Sequence, residues 1–199
     1  VSVGSDSRQA TTVYLVRHAH AHWNTDDARP LSEQGTESAA RVAMLLSERP
    51  IVAIYSSPSR RALDTVTPLA SRLGLKVQLM PALRERELLP MPRELFENAV
   101  AATWRLPQRA PAGAESNEEA QRRGLSALMR VVETHSGQHV VVSTHGTLMA
   151  LILNGLDPSL GFEFWRRLTF PDVYALEPVT GTLTRIVRLW SDRPTAPES

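Results

Sequence analysis

The chain contains no cysteine. That excludes disulfides, thiolate metal sites and a cysteine nucleophile. Lysine is nearly missing as well: Lys76 is the only one, and every other basic side chain is an arginine. Arginine grips phosphate or carboxylate through a planar fork, although most arginines simply solvate a surface. No apolar stretch approaches the roughly 18 residues of a membrane span. Residues 1–12 are polar and lack the apolar run of a signal peptide. These absences predict a cytoplasmic protein with no membrane partner. A formal net charge of +1 supplies no global field to attract nucleic acid.

What is present is an ordinary globular balance, 42% hydrophobic and 22% charged, over 199 residues. This predicts one domain with its own core. Short apolar runs at 13–16, 51–55, 77–79 and 139–143 read as buried strands. Helical spacing marks 32–47, where Ala39, Val42, Ala43, Leu45 and Leu46 share a face, and 59–73, with Gly74 as a stop. Ser116 and Glu119 form a capping box opening a helix that runs to about His135. Residues 148–153 begin the helix after the fourth strand. Residues 173–176 and 183–189 suggest a closing hairpin turning at Thr180-Gly181, and the tail from Ser191 reads as loose. Strands alternating with helices predict an α/β fold, a three-layer sandwich with a mostly parallel central sheet.

Residues 88–113 break the rhythm. Pro90, Pro92, Pro107 and Pro111 surround one short helical stretch at 94–104, whose Leu95, Phe96, Val100 and Trp104 could form an apolar face. The segment reads either as a lid over the strand ends or as a peripheral helix packed on the core.

In open α/β sheets, sites form at the carboxyl ends of strands. Three strands here end in reactive groups: the first in Arg17-His18, the second in Ser56-Ser57 followed by Arg60-Arg61, the fourth in Thr144-His145-Gly146. Two histidines and at least two arginines can thus meet in one crevice suited to a phosphoryl group. Arginine forks neutralise the charge, a helix N-terminus adds N–H donors, and a neutral imidazole can attack phosphorus. Each piece alone is weak, since a lone histidine is more often structural. The alternating His18, His20 and His22 pose a rival, three imidazoles on one extended face able to hold zinc. That reading leaves Arg61 and His145 unexplained.

These blocks together resemble the histidine phosphatase superfamily, the phosphoglycerate mutase-like proteins. Val13-Tyr14-Leu15-Val16-Arg17-His18-Ala19 is similar to its Arg-His-Gly signature, with Trp23-Asn24 following. Leu31-Ser32-Glu33-Gln34-Gly35, the stretch from Tyr55-Ser56-Ser57-Pro58 through Arg61-Ala62-Leu63-Asp64-Thr65, Leu83-Arg84-Glu85-Arg86, Gly113-Ala114-Glu115-Ser116 and Val141-Val142-Ser143-Thr144-His145-Gly146 match further blocks in the family's order. The resemblance implies a phosphoglycerate mutase-like fold with His18 as nucleophile. Arg17, Arg61 and His145 would hold the phosphate oxygens, helped by Asn24 and Gly146, and Glu85 would be the general acid and base. It implies no metal and no cofactor. The partner is then a small phosphorylated substrate, with no signal for an oligomeric state.

Two departures bear on activity. Ala19 and His20 stand where the family often has Gly and Glu; His20 is expected at the rim or in solvent. The short Thr25-Asp26-Asp27-Ala28-Arg29-Pro30 loop looks more like the phosphatase branches, including the small phosphohistidine phosphatases, which lack an insertion such as 88–113. The expectation is a phosphatase for a small phosphomonoester. A phosphoglycerate mutase, a phosphohistidine-protein phosphatase and a non-catalytic phospho-ligand module are the alternatives. Trp104, Trp165 and Trp190 are expected to pack rather than bind. Glu87 is a backup acid to Glu85, and Glu115 either lines the site or merely precedes the capping box.

Overall fold

The computed structural model describes residues 11–22, 28–178 and 184–191. Their elements run β1 (Thr12–Arg17), α1 (Glu33–Leu46), β2 (Ile51–Ser56), α2 (Arg60–Leu73), β3 (Val77–Leu79), a 3-10 turn (Pro81–Leu83), α3 (Arg93–Arg105), α4 (Asn117–Thr134), β4 (His139–Thr144), α5 (Gly146–Leu156), α6 (Phe162–Arg167), β5 (Asp172–Pro178) and β6 (Thr184–Arg188). The expected turn at Thr180-Gly181, the residues Trp23 and Asn24, and the tail beyond Ser191 lie outside the described residues.

The six strands form one sheet in the order β3-β2-β4-β1-β5-β6. The first four are parallel, and β5 runs antiparallel to both β1 and β6. Alternation along the strands sorts the core into two layers. Val13 and Leu15 of β1, Val140 and Val142 of β4, and Tyr174 and Leu176 of β5 pack with α4 and α5. Tyr14, Val16, Val141, Val173 and Ala175 face the other way, onto Val42, Ala43 and Leu46 of α1 and Val66, Leu69 and Ala70 of α2. The central strands therefore read as unbroken apolar runs because both faces are buried. A register shift between Ile51 and Ala53 puts Ile51 and Ile54 on the same face and leaves Val52 at the surface.

Helix termini follow local chemistry. Ser32 caps α1 by accepting from the Gly35 N–H, and the Ser116–Glu119 capping box opens α4 as expected. The helix after β4 begins two residues before its expected start, because Gly146 and Thr147 carry no apolar signal. The short α6 and the 3-10 turn span too few residues to show a period. Within 88–113 the helix forms, but its packed face is narrower than expected: Val100 is buried, Phe96 and Trp104 are half-buried, and Leu95 is exposed.

Candidate active site

The order β2-β4-β1 places the three reactive strand ends side by side. Main-chain bonds weld them together: the His18 N–H donates to Thr144 O at 3.0 Å, and the Ser57 N–H donates to Ser143 O at 3.0 Å. Arg17, His18, Arg61 and His145 all converge there and all are buried. Arg60, by contrast, is exposed and pairs with Asp64 one helical turn on.

His18 is held by its neighbour. Its Nδ1 lies 2.8 Å from Ala19 O, so Nδ1–H donates there and Nε2 keeps its lone pair. The same peptide is pinned from the other side, because the Ala19 N–H donates to Thr65 Oγ1 at 2.9 Å. Burial, followed by the charge of Arg17, holds the imidazole well below the ordinary histidine value, so the ring is neutral at pH 7.

His145 meets His18 edge-on with ring centroids 5.2 Å apart. Its Nδ1 lies 3.1 Å from Arg61 Nη2 and its Nε2 lies 2.8 Å from Ser57 Oγ. A guanidinium only donates, so Nδ1 accepts and Nε2 carries the proton. Burial and then the neighbouring His18 push this imidazole well down as well. Both ring nitrogens thus have protein partners, and a phosphate oxygen would have to replace the Ser57 hydroxyl to reach the Nε2–H.

Arg17 donates from Nη1 to Leu168 O at 2.9 Å, and its Nε is buried with no partner. A β-carbon on Gly146 would stand 2.8 Å from the guanidinium carbon, so only glycine leaves Arg17 its room. Phe170 covers the other side, its ring centroid 3.4 Å from that carbon and 5.4 Å from the His18 ring. Burial lowers the Arg17 guanidinium to about 10, against the raising pull of Glu85 and Asp172, and it remains a cation at neutral pH.

Glu85 follows the 3-10 turn. Its carboxylate accepts from the backbone N–H of Thr147 at 3.0 Å, of Leu148 at 2.9 Å and of Arg86 at 2.8 Å. It therefore sits on the N-terminus of α5, one turn from His145. Arg86 is 3% exposed, and its Nε and Nη2, the forked edge of the guanidinium, have no partner.

The remaining candidates from the sequence fall outside the cradle. Among the described residues no three His, Cys, Asp or Glu side chains are gathered to hold a metal ion. His20 is half-buried at the rim, with Nδ1 2.8 Å from Ser32 Oγ and its ring against His22 and Phe170. Glu115 neither lines the crevice nor stands free; it is forked to Arg123. Glu87 is exposed beside Arg84. Trp104 and Trp165 pack against the α4–α5 side of the core and Trp190 is buried on the opposite side. Asn24 falls outside the described residues. Sequence reasoning missed Phe170 and Arg29, whose charge reaches both His18 and His145, and it named Ser57 and Thr65 without giving either a role. Phe170 had no local signal: it reaches the site because the antiparallel pairing of β5 with β1 brings the start of β5 to the end of β1, with Arg17 opposite Asp172.

The family model of the histidine phosphatase superfamily, branch 1, matches residues 13–185. Phosphoglycerate mutase-like protein 4 of Arabidopsis thaliana is 31% identical over 165 residues, 74% of this chain and 71% of that one. The metal-independent phosphoserine phosphatase of the same plant is 30% identical over 162 residues, 72% and 68% of the two chains. Among solved structures, a mycobacterial glucosyl-3-phosphoglycerate phosphatase superposes with a TM-score of 0.72 at 25% identity, covering 90% of this chain and 97% of its own. That enzyme has also been solved with VO3 and with inorganic phosphate. No helix among the described residues is long and apolar enough to cross a membrane.

Proposed function

The chain belongs to the histidine phosphatase superfamily, and from that premise we propose that it is a metal-independent phosphatase acting on a small phosphomonoester through a phosphohistidine at His18. The observation that carries this reading is the committed Nδ1 of His18. It leaves the other nitrogen of a buried, neutral ring unengaged, within reach of the charges of Arg17 and Arg61 and beside a second imidazole.

In the proposed first step the Nε2 lone pair attacks phosphorus and the bond from phosphorus to the leaving oxygen breaks. Arg17, Arg61, the His145 Nε2–H and the Gly146 N–H hold the non-bridging oxygens, joined by Asn24. Glu85 gives its proton to the leaving oxygen. In the second step a water oxygen attacks the phosphohistidine, its proton passes to Glu85, and the phosphorus–nitrogen bond breaks to restore His18. Oε2 of Glu85 accepts only one backbone bond, from Thr147, so it is the oxygen assigned to carry the proton. Fixed cations and donors stabilise the charge on the equatorial oxygens, and EDTA should leave turnover unchanged.

Two observations refine the reading. The buried cation of Arg86 beside Glu85 favours a strongly anionic substrate. Phosphoserine and glucosyl-3-phosphoglycerate, for which relatives are named, both carry a carboxylate. A mutase must shield its phosphoenzyme from water, yet the 88–113 segment leaves Leu89, Leu95 and Leu106 exposed and buries one residue of α3. Hydrolysis should therefore outpace isomerisation when 3-phosphoglycerate is supplied with catalytic 2,3-bisphosphoglycerate. The decisive test is rapid quench with labelled substrate. An acid-labile, base-stable phosphoenzyme mapping to His18 is expected. Label on His145, or on no histidine, would overturn the assignment.

A further inference from the structure

We propose that Arg123, on α4, is a positioning residue for the general acid: with Glu115 it clamps the backbone that carries Glu85. The proposal rests on Glu85 being the acid.

The carboxylate of Glu85 is anchored by the first turn of α5, but its backbone belongs to the irregular stretch 84–87 after the 3-10 turn, which no helix or sheet ladder holds. Side chains do that work instead. Arg123 Nη1 donates to Ala82 O at 2.8 Å and to Arg84 O at 3.1 Å, the latter being the carbonyl of the peptide that enters Glu85. The other edge of the same guanidinium forks onto Glu115, Nε to Oε1 at 2.8 Å and Nη2 to Oε2 at 2.6 Å. Glu115 closes the loop from its own backbone: its N–H donates to Glu87 O at 3.0 Å. One guanidinium thus spends donors on both sides, and a lysine could not copy that geometry.

The helix bearing Arg123 is itself fixed against the site. Gly124 follows it, and a β-carbon there would come within 2.7 Å of Ile152 on α5, so α4 lies tightly on the helix whose N-terminus grips Glu85. Arg123 and Glu115 are 15% and 11% exposed at their side chains. Burial alone would raise the Glu115 carboxyl, but its bonds to Arg123 bring it below the ordinary value, so the pair is fully ionised. A pair so buried adds little stability over apolar packing of the same shape. Its distinctive contribution is directional: it fixes where the Glu85 peptide sits. Positioning matters steeply, since a shift of about 1 Å can cost ~10²-fold in rate.

The test separates positioning from general structural damage. kcat/KM, which reports formation of the phosphoenzyme, is measured for substituted phenyl phosphates from p-nitrophenyl to p-methoxyphenyl. All fit the site alike, but the poorer leaving groups need a proton. Wild type, Glu85→Gln, Arg123→Gln and Glu115→Gln are compared. Glu85→Gln should lose ~10²–10⁴-fold on p-methoxyphenyl phosphate and far less on p-nitrophenyl phosphate. Arg123→Gln should reproduce that tilt in weaker form, ~10–10²-fold on the poor leaving group against less than about threefold on the good one, and Glu115→Gln should tilt the same way. Because the readout is a ratio between substrates, a partly unfolded preparation cancels out. If Arg123→Gln and Glu115→Gln lower all substrates equally while Glu85→Gln shows the tilt, the positioning role is wrong. A flat response in Glu85→Gln would instead remove the acid assignment itself.

Discussion

The phosphate cradle and the 88–113 arch are built by opposite rules. In the cradle Arg17, His18, Arg61 and His145 are buried and Glu85 is half-buried, and three of the five are oriented by backbone atoms: His18 by Ala19 O, Arg17 by Leu168 O, Glu85 by the N–H groups of α5. Such groups cannot drift, and the charge that develops in phosphoryl transfer meets dipoles already in place. The arch has four prolines and one buried residue in its helix. It is tied down by a few contacts: Asn117 Nδ2 to Thr103 O, the Glu118 N–H to Pro107 O, and Phe96 against Trp165. On the proposed function, chemistry common to all phosphomonoesters would fall to the rigid part, and choice among them to the part that can change without disturbing it.

The comparison breaks most visibly at the cradle. His18→Ala should abolish turnover and the phosphoenzyme while shifting the melting temperature little, because the residue ends a strand rather than filling the core. Steady-state rates and a thermal melt check both halves. Arg61→Ala should cost ~10²–10³-fold in kcat, the scale of losing one preorganised donor. It also frees His145 Nδ1, so the effect on Arg61 and His145 variants should be non-additive in a double-mutant cycle. Strict additivity would show that the two do not act as a unit.

The cradle was legible in the sequence because Arg17, His18 and His145 sit at the ends of short strands and Arg61 lies in the first turn of the helix after one. There, a few consecutive letters fix both the backbone path and the direction of a side chain. Arg17, His18, Arg61 and His145 needed only the strand order to meet. Glu85 was singled out by the family resemblance, but not as a ligand of α5, since nothing local connects residue 85 with 147. Phe170 was silent for the same reason: it reaches Arg17 only through the long-range pairing of β5 with β1. In the arch the prolines announced irregularity correctly, but the apolar face was overdrawn. Leu95 has helical spacing with its neighbours and still faces solvent, because a helix so weakly packed covers only a narrow stripe.

Acidification should sharpen the contrast by acting on the cradle alone. His18 and His145 both lie well below the ordinary 6.5 in the folded protein, chiefly through burial. Above pH 6.5 both forms of the chain hold these rings neutral, so the histidines add no pH dependence. As pH falls below 6.5 the unfolded chain takes up protons first, and stability drops until the folded values are reached. The slope contributed is up to ~1.4 kcal/mol per pH unit for each ring. Denaturant melts between pH 7.5 and 5 should show this loss, and His18→Asn should remove the share of one proton. The acid limb of kcat/KM should lie below 6.5, since the nucleophile stays neutral there. A slope unchanged in His18→Asn would mean that His18 is not the buried neutral ring described here.

The smallest effect is expected at the arch, and it tests the division most directly. Phe96 lies 6.2 Å from the Trp165 ring, Trp165 stacks on Phe162 at 5.5 Å, and its Nε1 donates to Thr147 Oγ1 at 3.3 Å. Thr147 in turn supplies one of the backbone donors to Glu85. Phe96 thus gives the arch an aromatic contact with α6, the element beside the site. Phe96→Ala removes a half-buried ring, so stability should fall by only ~1 kcal/mol. The phosphoenzyme should still form at His18, and the acid limb should not move. What should change is the ranking of substrates, by a few-fold to ~10-fold in kcat/KM, the scale set by gain or loss of apolar contact with a leaving group. A panel of phosphorylated metabolites, run on wild type and variant side by side, measures it. A uniform loss across the panel as large as that of Arg61→Ala would place the arch inside the catalytic framework, and the separation of rigid chemistry from adaptable cover would fail.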